Sequence, residues 1–214
     1  MNATLDVAPE AVPEAPEKTQ KTKNIVRQSL GEFGPFLAMR PHGRIVQEKI
    51  DARLRALPVG GVLVLDFNGV EMMDYSFADE ALGTIYSRMS AKEYPDRHLI
   101  IETRDDELCE ALLENVEVAL NRREVAALIV PQSAKKSADK WRVLGELPSH
   151  LVDTLRAVMD KNCITVRDLA EALKLDSATA CNNRIAKLYQ MHLVRREASV
   201  VPEGGRQYCY TSVL

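Results

Sequence analysis

Apolar residues recur along this chain in two rhythms, and the switches between the rhythms mark its elements. Val46, Ile50, Leu54 and Leu57 fall on one helical face, opened by Pro41 and closed by Pro58 and Gly60-Gly61. Ala78, Leu82, Ile85 and Met89 repeat the helical spacing, as do Leu108, Leu112, Val116 and Leu120. Between these helices lie short apolar runs: Asn24–Leu30, Phe36–Met39, Val62–Phe67, His98–Glu102 and Glu124–Val130, which ends at Pro131. The run Val62-Leu-Val-Leu does not alternate with polar residues, the mark of a strand covered on both faces. Strands alternating with helices predict an α/β (α+β) unit over residues 24–131, with a mixed or parallel sheet packed by helices.

The C-terminal third changes rhythm. Val152, Leu155, Val158 and Met159 form the stripe of a first helix, and a short amphipathic helix follows from Thr165. A turn at Lys174-Leu-Asp leads into a third helix from Ser177 to about Met191. Leu193–Val201 and Arg206–Val213 then read as two strands around Pro202-Glu-Gly-Gly, with glycine at the turn. Residues 132–147, rich in Ser, Ala and Lys, read as a linker, and Trp141 is expected to dock it on one neighbour. Residues 1–23 carry almost no large apolar side chains and read as a disordered arm.

Composition changes the picture in two places. Net charge is −3, but residues 24–131 hold 12 Lys+Arg against 18 Asp+Glu, and residues 132–214 hold 13 against 9. A basic module joined to an acidic one is expected where only the former meets nucleic acid. The cysteines Cys109, Cys163, Cys181 and Cys209 are far apart in apolar contexts, so four buried free thiols are expected. The scattered histidines match no metal-ligand spacing, so neither a metal nor a cofactor is expected. No apolar run approaches the roughly 20 residues that cross a bilayer, and the start lacks a signal-peptide pattern. A cytoplasmic protein is the expectation.

Helix, helix, turn, helix, hairpin over residues 148–214 is the order of a winged helix-turn-helix. The segment from Ala180 to Arg196 resembles the third helix and wing start of bacterial winged-helix regulators, in its Asn-Asn-Arg positions and its Leu193-Val-Arg-Arg. On that helix Cys181, Ile185 and Leu188 face the core, which turns Thr179, Asn182, Asn183 and Lys187 outward with Arg184 at the boundary. Asn suits adenine, Arg guanine and Thr the thymine methyl, while Lys187, Arg195, Arg196 and Arg206 are candidates for phosphates. The expected partner is double-stranded DNA. A module of such modest charge is expected to bind weakly alone and to need a homodimer or another partner.

The run Asp66-Phe-Asn-Gly-Val-Glu71 and the triplet Asp74-Tyr-Ser76 lie between the buried strand and the next helix. They resemble the signature of the STAS domain, the fold of bacterial anti-sigma-factor antagonists, whose Asp-Ser-Ser carries a phosphorylated serine. Phe33-Gly-Pro-Phe36, Arg40-Pro-His-Gly-Arg44 and Ser76-Phe-Ala-Asp-Glu80 resemble more closely an uncharacterised STAS-like family of bacterial and mobile-element proteins. The resemblance implies a partner surface at Asp74, Ser76 and Asp79, met by another protein such as a kinase-like ATPase. Here Tyr75 and Phe77 stand where that signature has small residues. Beside the phosphoacceptor reading stands a local one, with Ser76 as helix N-cap and Asp79 as its capping-box-like partner. Arg40 and Arg44 could attract an anion to their helix start or pair with nearby acids.

Asp66 and Asp74 are accompanied by no His, Lys or Cys at a catalytic spacing and by no Gly-rich phosphate cradle, so no enzyme is expected. Two functions follow. One is a bacterial or phage-type regulator in which a STAS-like partner domain controls a DNA-binding winged helix. The alternative is a non-enzymatic adaptor with both parts used for protein docking.

Overall fold

A computed structural model describes residues 24–132, 141–161, 163–200 and 206–214. The expected arm at 1–23 and the hairpin turn at 201–205 lie outside the described residues. The first unit contains β1 (Ile25–Ser29), β2 (Phe36–Leu37), α1 (Arg40–Ala56), β3 (Val62–Asp66), β4 (Met72–Met73), α2 (Tyr75–Ala78), α3 (Thr84–Ser90), β5 (His98–Thr103), α4 (Glu107–Arg122) and β6 (Ala126–Pro131). A π-helical stretch, Asp79–Gly83, joins α2 to α3, so 75–90 runs as one helix with a widened turn in its middle. Next come β7 (Arg142–Gly145), α5 (Ser149–Met159), β8 (Ile164–Thr165), α6 (Val166–Ala172), α7 (Ala178–Gln190), β9 (Val194–Val200) and β10 (Arg206–Ser212).

The main sheet has the order β1-β3-β5-β6-β7. The first four strands are parallel and β7 runs antiparallel beside β6. Each parallel step moves in the same direction across the sheet, and right-handed crossovers of that kind place every helix on one face. Residues from α1, the 75–90 helix and α4 accordingly share one core with Leu63, Leu65, Leu99, Ile101, Ala127 and Ile129. The alternate strand residues Val62, Val64, Ile100, Ala126 and Leu128 point the other way, because side chains alternate across a strand. They form a second core with Leu151 and Leu155 of α5, Ile185 and Leu188 of α7, and Val194 of β9. The C-terminal unit is thus the second cover of the sheet, which explains why β3 is buried throughout.

Several expectations are corrected. Residues 132–147 contain β7, so this segment completes the sheet; its 133–140 stretch lies outside the described residues. Trp141, by contrast, docks as expected, partly buried against the second core. The strand expected at 36–39 shrinks to β2, which leaves the main sheet and pairs in parallel with β4 (Phe36 opposite Met72). Cys109 and Cys181 are buried free thiols, but Cys163 and Cys209 are joined as a disulfide with their Cα atoms 5.6 Å apart. Strand β10, adding beside β8 (Cys209 opposite Thr165), brings the two together, a contact that spacing along the chain does not reveal. The small sheet has the order β8-β10-β9 and packs with α5, α6 and α7.

Candidate functional site

Two surfaces collect the expected residues. The first lies at the start of the 75–90 helix. Its N-cap is Asp74, whose carboxylate accepts the Phe77 N–H at 2.7 Å and the Met39 N–H at 3.0 Å. This corrects the expected cap: Ser76 is already inside the helix, and its hydroxyl donates to Asp74 at 2.9 Å. These bonds hold the Asp74 carboxyl below the usual carboxylate range, against the opposing pull of partial burial. Asp79 is neither a cap partner nor a surface group. It is buried and bridges Arg40 at 2.8 Å and Arg123 at 2.7 Å, so its pKa too is lowered although burial acts to raise it. Gly83 makes the bridge possible, since a Cβ there would sit 2.8 Å from Arg123 Nε.

Glu80 takes Arg44 at 3.3 Å and a second contact from Arg40 at 3.2 Å, so both arginines at the α1 start are paired with acids. Asp66 accepts the Asn68 N–H at 2.9 Å and shapes the loop after β3. Around this closed network the surface is apolar: Phe36, Met39 and Met72 are 59, 65 and 45% exposed. Met39 sits at φ 69°, ψ 145°, a conformation costly for a residue with a side chain. It is fixed from both sides, its N–H by Asp74 and its carbonyl by the Gly43 N–H. Sequence reasoning missed this apolar rim because no periodicity distinguishes an exposed two-residue strand.

The second surface is the outward side of α7. Ser177 caps the helix by accepting the Ala180 N–H at 3.3 Å. Cys181, Ile185 and Leu188 are buried, while Thr179, Asn182, Asn183 and Lys187 are exposed and Arg184 is intermediate. The two strand arginines differ. Arg195 is half-buried, donates to the Val213 carbonyl at 3.4 Å and has its pKa lowered by burial. It therefore braces the small sheet, a correction to its expected place among the surface cations. Arg196 is exposed, its guanidinium stacked 4.3 Å from the Tyr189 ring and 4.5 Å from the Tyr208 ring. Arg206 begins β10 opposite Val200, and its side chain lies outside the described residues.

The two surfaces are joined through the far end of the 75–90 helix. Gln190 donates to the Ser90 carbonyl at 3.1 Å, and the Tyr189 hydroxyl donates to the Asp96 carboxylate. His192 is buried between two carbonyls, with Nδ1 2.6 Å from Arg97 O and Nε2 2.9 Å from Met89 O. Burial lowers its pKa, while both carbonyl contacts favour the protonated ring. His98 is buried beside it; its Nδ1–H donates to the His192 carbonyl at 3.0 Å, and burial pushes its pKa down to about 4. Neither histidine was a sequence candidate, because each has meaning only against the other unit.

Among known proteins, residues 43–107 match the model of the STAS-like domain of unknown function (DUF4325). The matched stretch contains Asp74, Asp79, Glu80 and the 92–97 loop, but not Met39, Arg40 or Arg123, and it stops near the start of α4. No curated protein matches the chain. Among the described residues, no helix is long and apolar enough to cross a membrane.

Proposed function

We propose that this chain is a non-enzymatic regulator whose C-terminal unit binds double-stranded DNA as a winged helix-turn-helix, under control of the STAS-like unit. The observation that carries the reading is α7: four polar side chains stand outward from a helix whose opposite face is buried against α5, α6 and the hairpin. A three-helix unit ending in a β9–β10 hairpin, with α7 as the recognition helix, is the arrangement that enters a major groove. Asn182 and Asn183 suit adenine edges, and Thr179 a thymine methyl. The partners of the carboxylates support the non-enzymatic part of this reading: Asp66 shapes a loop, Asp74 caps a helix and Asp79 bridges two arginines.

The STAS-like unit receives a protein partner at the Phe36, Met39 and Met72 rim beside Ser76. That surface and α7 lie at opposite ends of one helix, so a partner acts on the DNA face through the 75–90 segment and its contacts with Gln190 and His192. A phosphoryl group on Ser76 would set about two negative charges against the Asp74 carboxylate. It would compete with the bond that pins Met39. The apolar rim also favours the adaptor reading, in which docking alone is the function.

Fluorescence anisotropy separates the two readings. It uses the DNA upstream of the chain's own gene, scrambled DNA and two salt concentrations. The regulator reading expects salt-sensitive, sequence-selective binding that Asn183→Ala weakens about tenfold, the cost of one lost bidentate base contact. Absence of binding well above micromolar protein would remove the DNA reading and leave the adaptor.

A further inference from the structure

Between α7 and the loop joining α3 to β5 lies a cleft of about 580 Å³, lined among others by Lys92, Asp96, Asn183, Lys187, Tyr189 and Arg196. Asn183 and Lys187 belong to the proposed DNA face, and Lys92 and Asp96 belong to the STAS-like unit. The charges on its walls are unequal. Lys92, Lys187 and Arg196 are exposed, and among the described residues none has a carboxylate within ion-pair distance. The single acid of the lining, Asp96, is engaged by the Tyr189 hydroxyl. Elsewhere in the first unit Arg27, Arg40, Arg44, Arg55, Arg88 and Arg123 are each paired with a carboxylate.

The cleft is also preorganised. Arg196 is held in place by tyrosine rings, its guanidinium carbon 4.3 Å from the Tyr189 centroid and 4.5 Å from that of Tyr208, so its charge is kept beside the cleft. The 92–97 loop is fixed to α7 by the Tyr189–Asp96 bond and by His192 on the Arg97 carbonyl, so Lys92 is held near the helix with no cost of ordering two separate domains. Three cations without a carboxylate partner around one groove form a seat for phosphate oxygens.

We propose that this cleft seats the sugar-phosphate backbone of the bound duplex, and that the STAS-like unit thereby supplies Lys92 to the DNA interface. The inference rests on the DNA reading above and extends it, because the interface is then built from both units. A helix lying in the major groove has a phosphate strand along its flanks, and the cleft is the flank of α7 that the STAS-like loop closes. A phosphate contact carries no sequence information, so its loss lowers affinity for all duplexes alike.

The test measures anisotropy on specific and scrambled duplexes across a salt series, for the full chain and for Lys92→Gln and Lys92→Glu. Lys49→Gln, on the exposed side of α1, is the control. The expected result for Lys92→Gln is a loss on the order of fivefold for both duplexes and a salt slope smaller by about 0.9, the value of one phosphate contact. Lys92→Glu loses more, Lys49→Gln nothing, and far-UV circular dichroism stays that of the parent. If Lys92→Gln matches the parent in affinity and slope while Asn183→Ala still weakens binding, the cleft proposal is overturned and the DNA reading stands. If the parent binds no duplex, both fall together.

Discussion

In the first unit Asp79 holds Arg40 and Arg123, and Glu80 holds Arg44, so charge is consumed inside the fold. In the second, Lys187 and Arg196 stand open on the surface, and Arg196 is steadied by aromatic rings. A closed network fixes geometry but offers no field to a charged ligand. Open cations keep their Coulomb attraction for phosphate and give binding its salt dependence. The exposed apolar rim at Phe36, Met39 and Met72 belongs to the closed unit, and the open cations belong mostly to the other. Protein recognition and nucleic-acid recognition would then be divided between two surfaces held together by a shared core.

The comparison breaks most severely if the units are separated. A chain ended at residue 147 would expose the Val62, Val64, Ile100 and Leu128 face, at about 1.5–3 kcal/mol for each side chain. The sum is on the order of 10 kcal/mol, comparable with the whole stability of a domain. We expect this truncated chain to aggregate or self-associate in size-exclusion chromatography, while the full chain melts in one transition. Two separate transitions in the full chain would show instead that the units are independent.

A change of pH tests the same junction from within. His98 has a folded pKa of about 4 against an ordinary 6.5, so between these values the unfolded chain takes up a proton that the folded chain refuses. Stability contributed by the neutral ring is full above pH 6.5 and is lost as pH falls toward 4, by a total on the order of 3 kcal/mol. His192, lowered by burial as well, adds to the loss in the same direction. Urea denaturation at pH 7.5 and 5 should show it, with a smaller difference for His98→Gln. An equal difference in that variant would place the acid sensitivity elsewhere.

The smallest effect sharpens the account of the first surface. Asp74→Ala removes the cap and the Met39 link and should cost about 1–2 kcal/mol. Ser76→Ala removes one hydroxyl bond and should cost less than about 1 kcal/mol. Denaturation midpoints in that order support Asp74 as the cap, and the reverse order would restore the cap to Ser76.

How far the sequence could be read follows from the range of each interaction. The α1 stripe, the buried β3 run and the Cys181, Ile185, Leu188 face of α7 were all visible, because burial on one side of an element imposes a local period. Asp74 and Ser76 were correctly placed at a helix start, but a serine and an aspartate two residues apart are both good caps, and only the backbone path decides between them. Lys92, Tyr189, His192 and Tyr208 carried no local signal, since lone residues at turns and strand faces look alike whether or not a second unit covers them. The π-helical turn was equally silent: Asp79 at its start bridges Arg123, 44 residues away.

The sequence by itself determined the longer helices, the main strands up to β6, the closing strand pair and the charge contrast between the halves, for these depend on near neighbours and on composition. Tertiary structure alone decided that β7 closes the sheet and that the C-terminal unit forms its second cover. It also decided that Arg195 turns inward while Arg196 stays out, and that Lys92 reaches the flank of α7. Each of these depends on which distant surface is left bare when helices crowd one face of a sheet, and a bare apolar face must be covered from elsewhere in the chain.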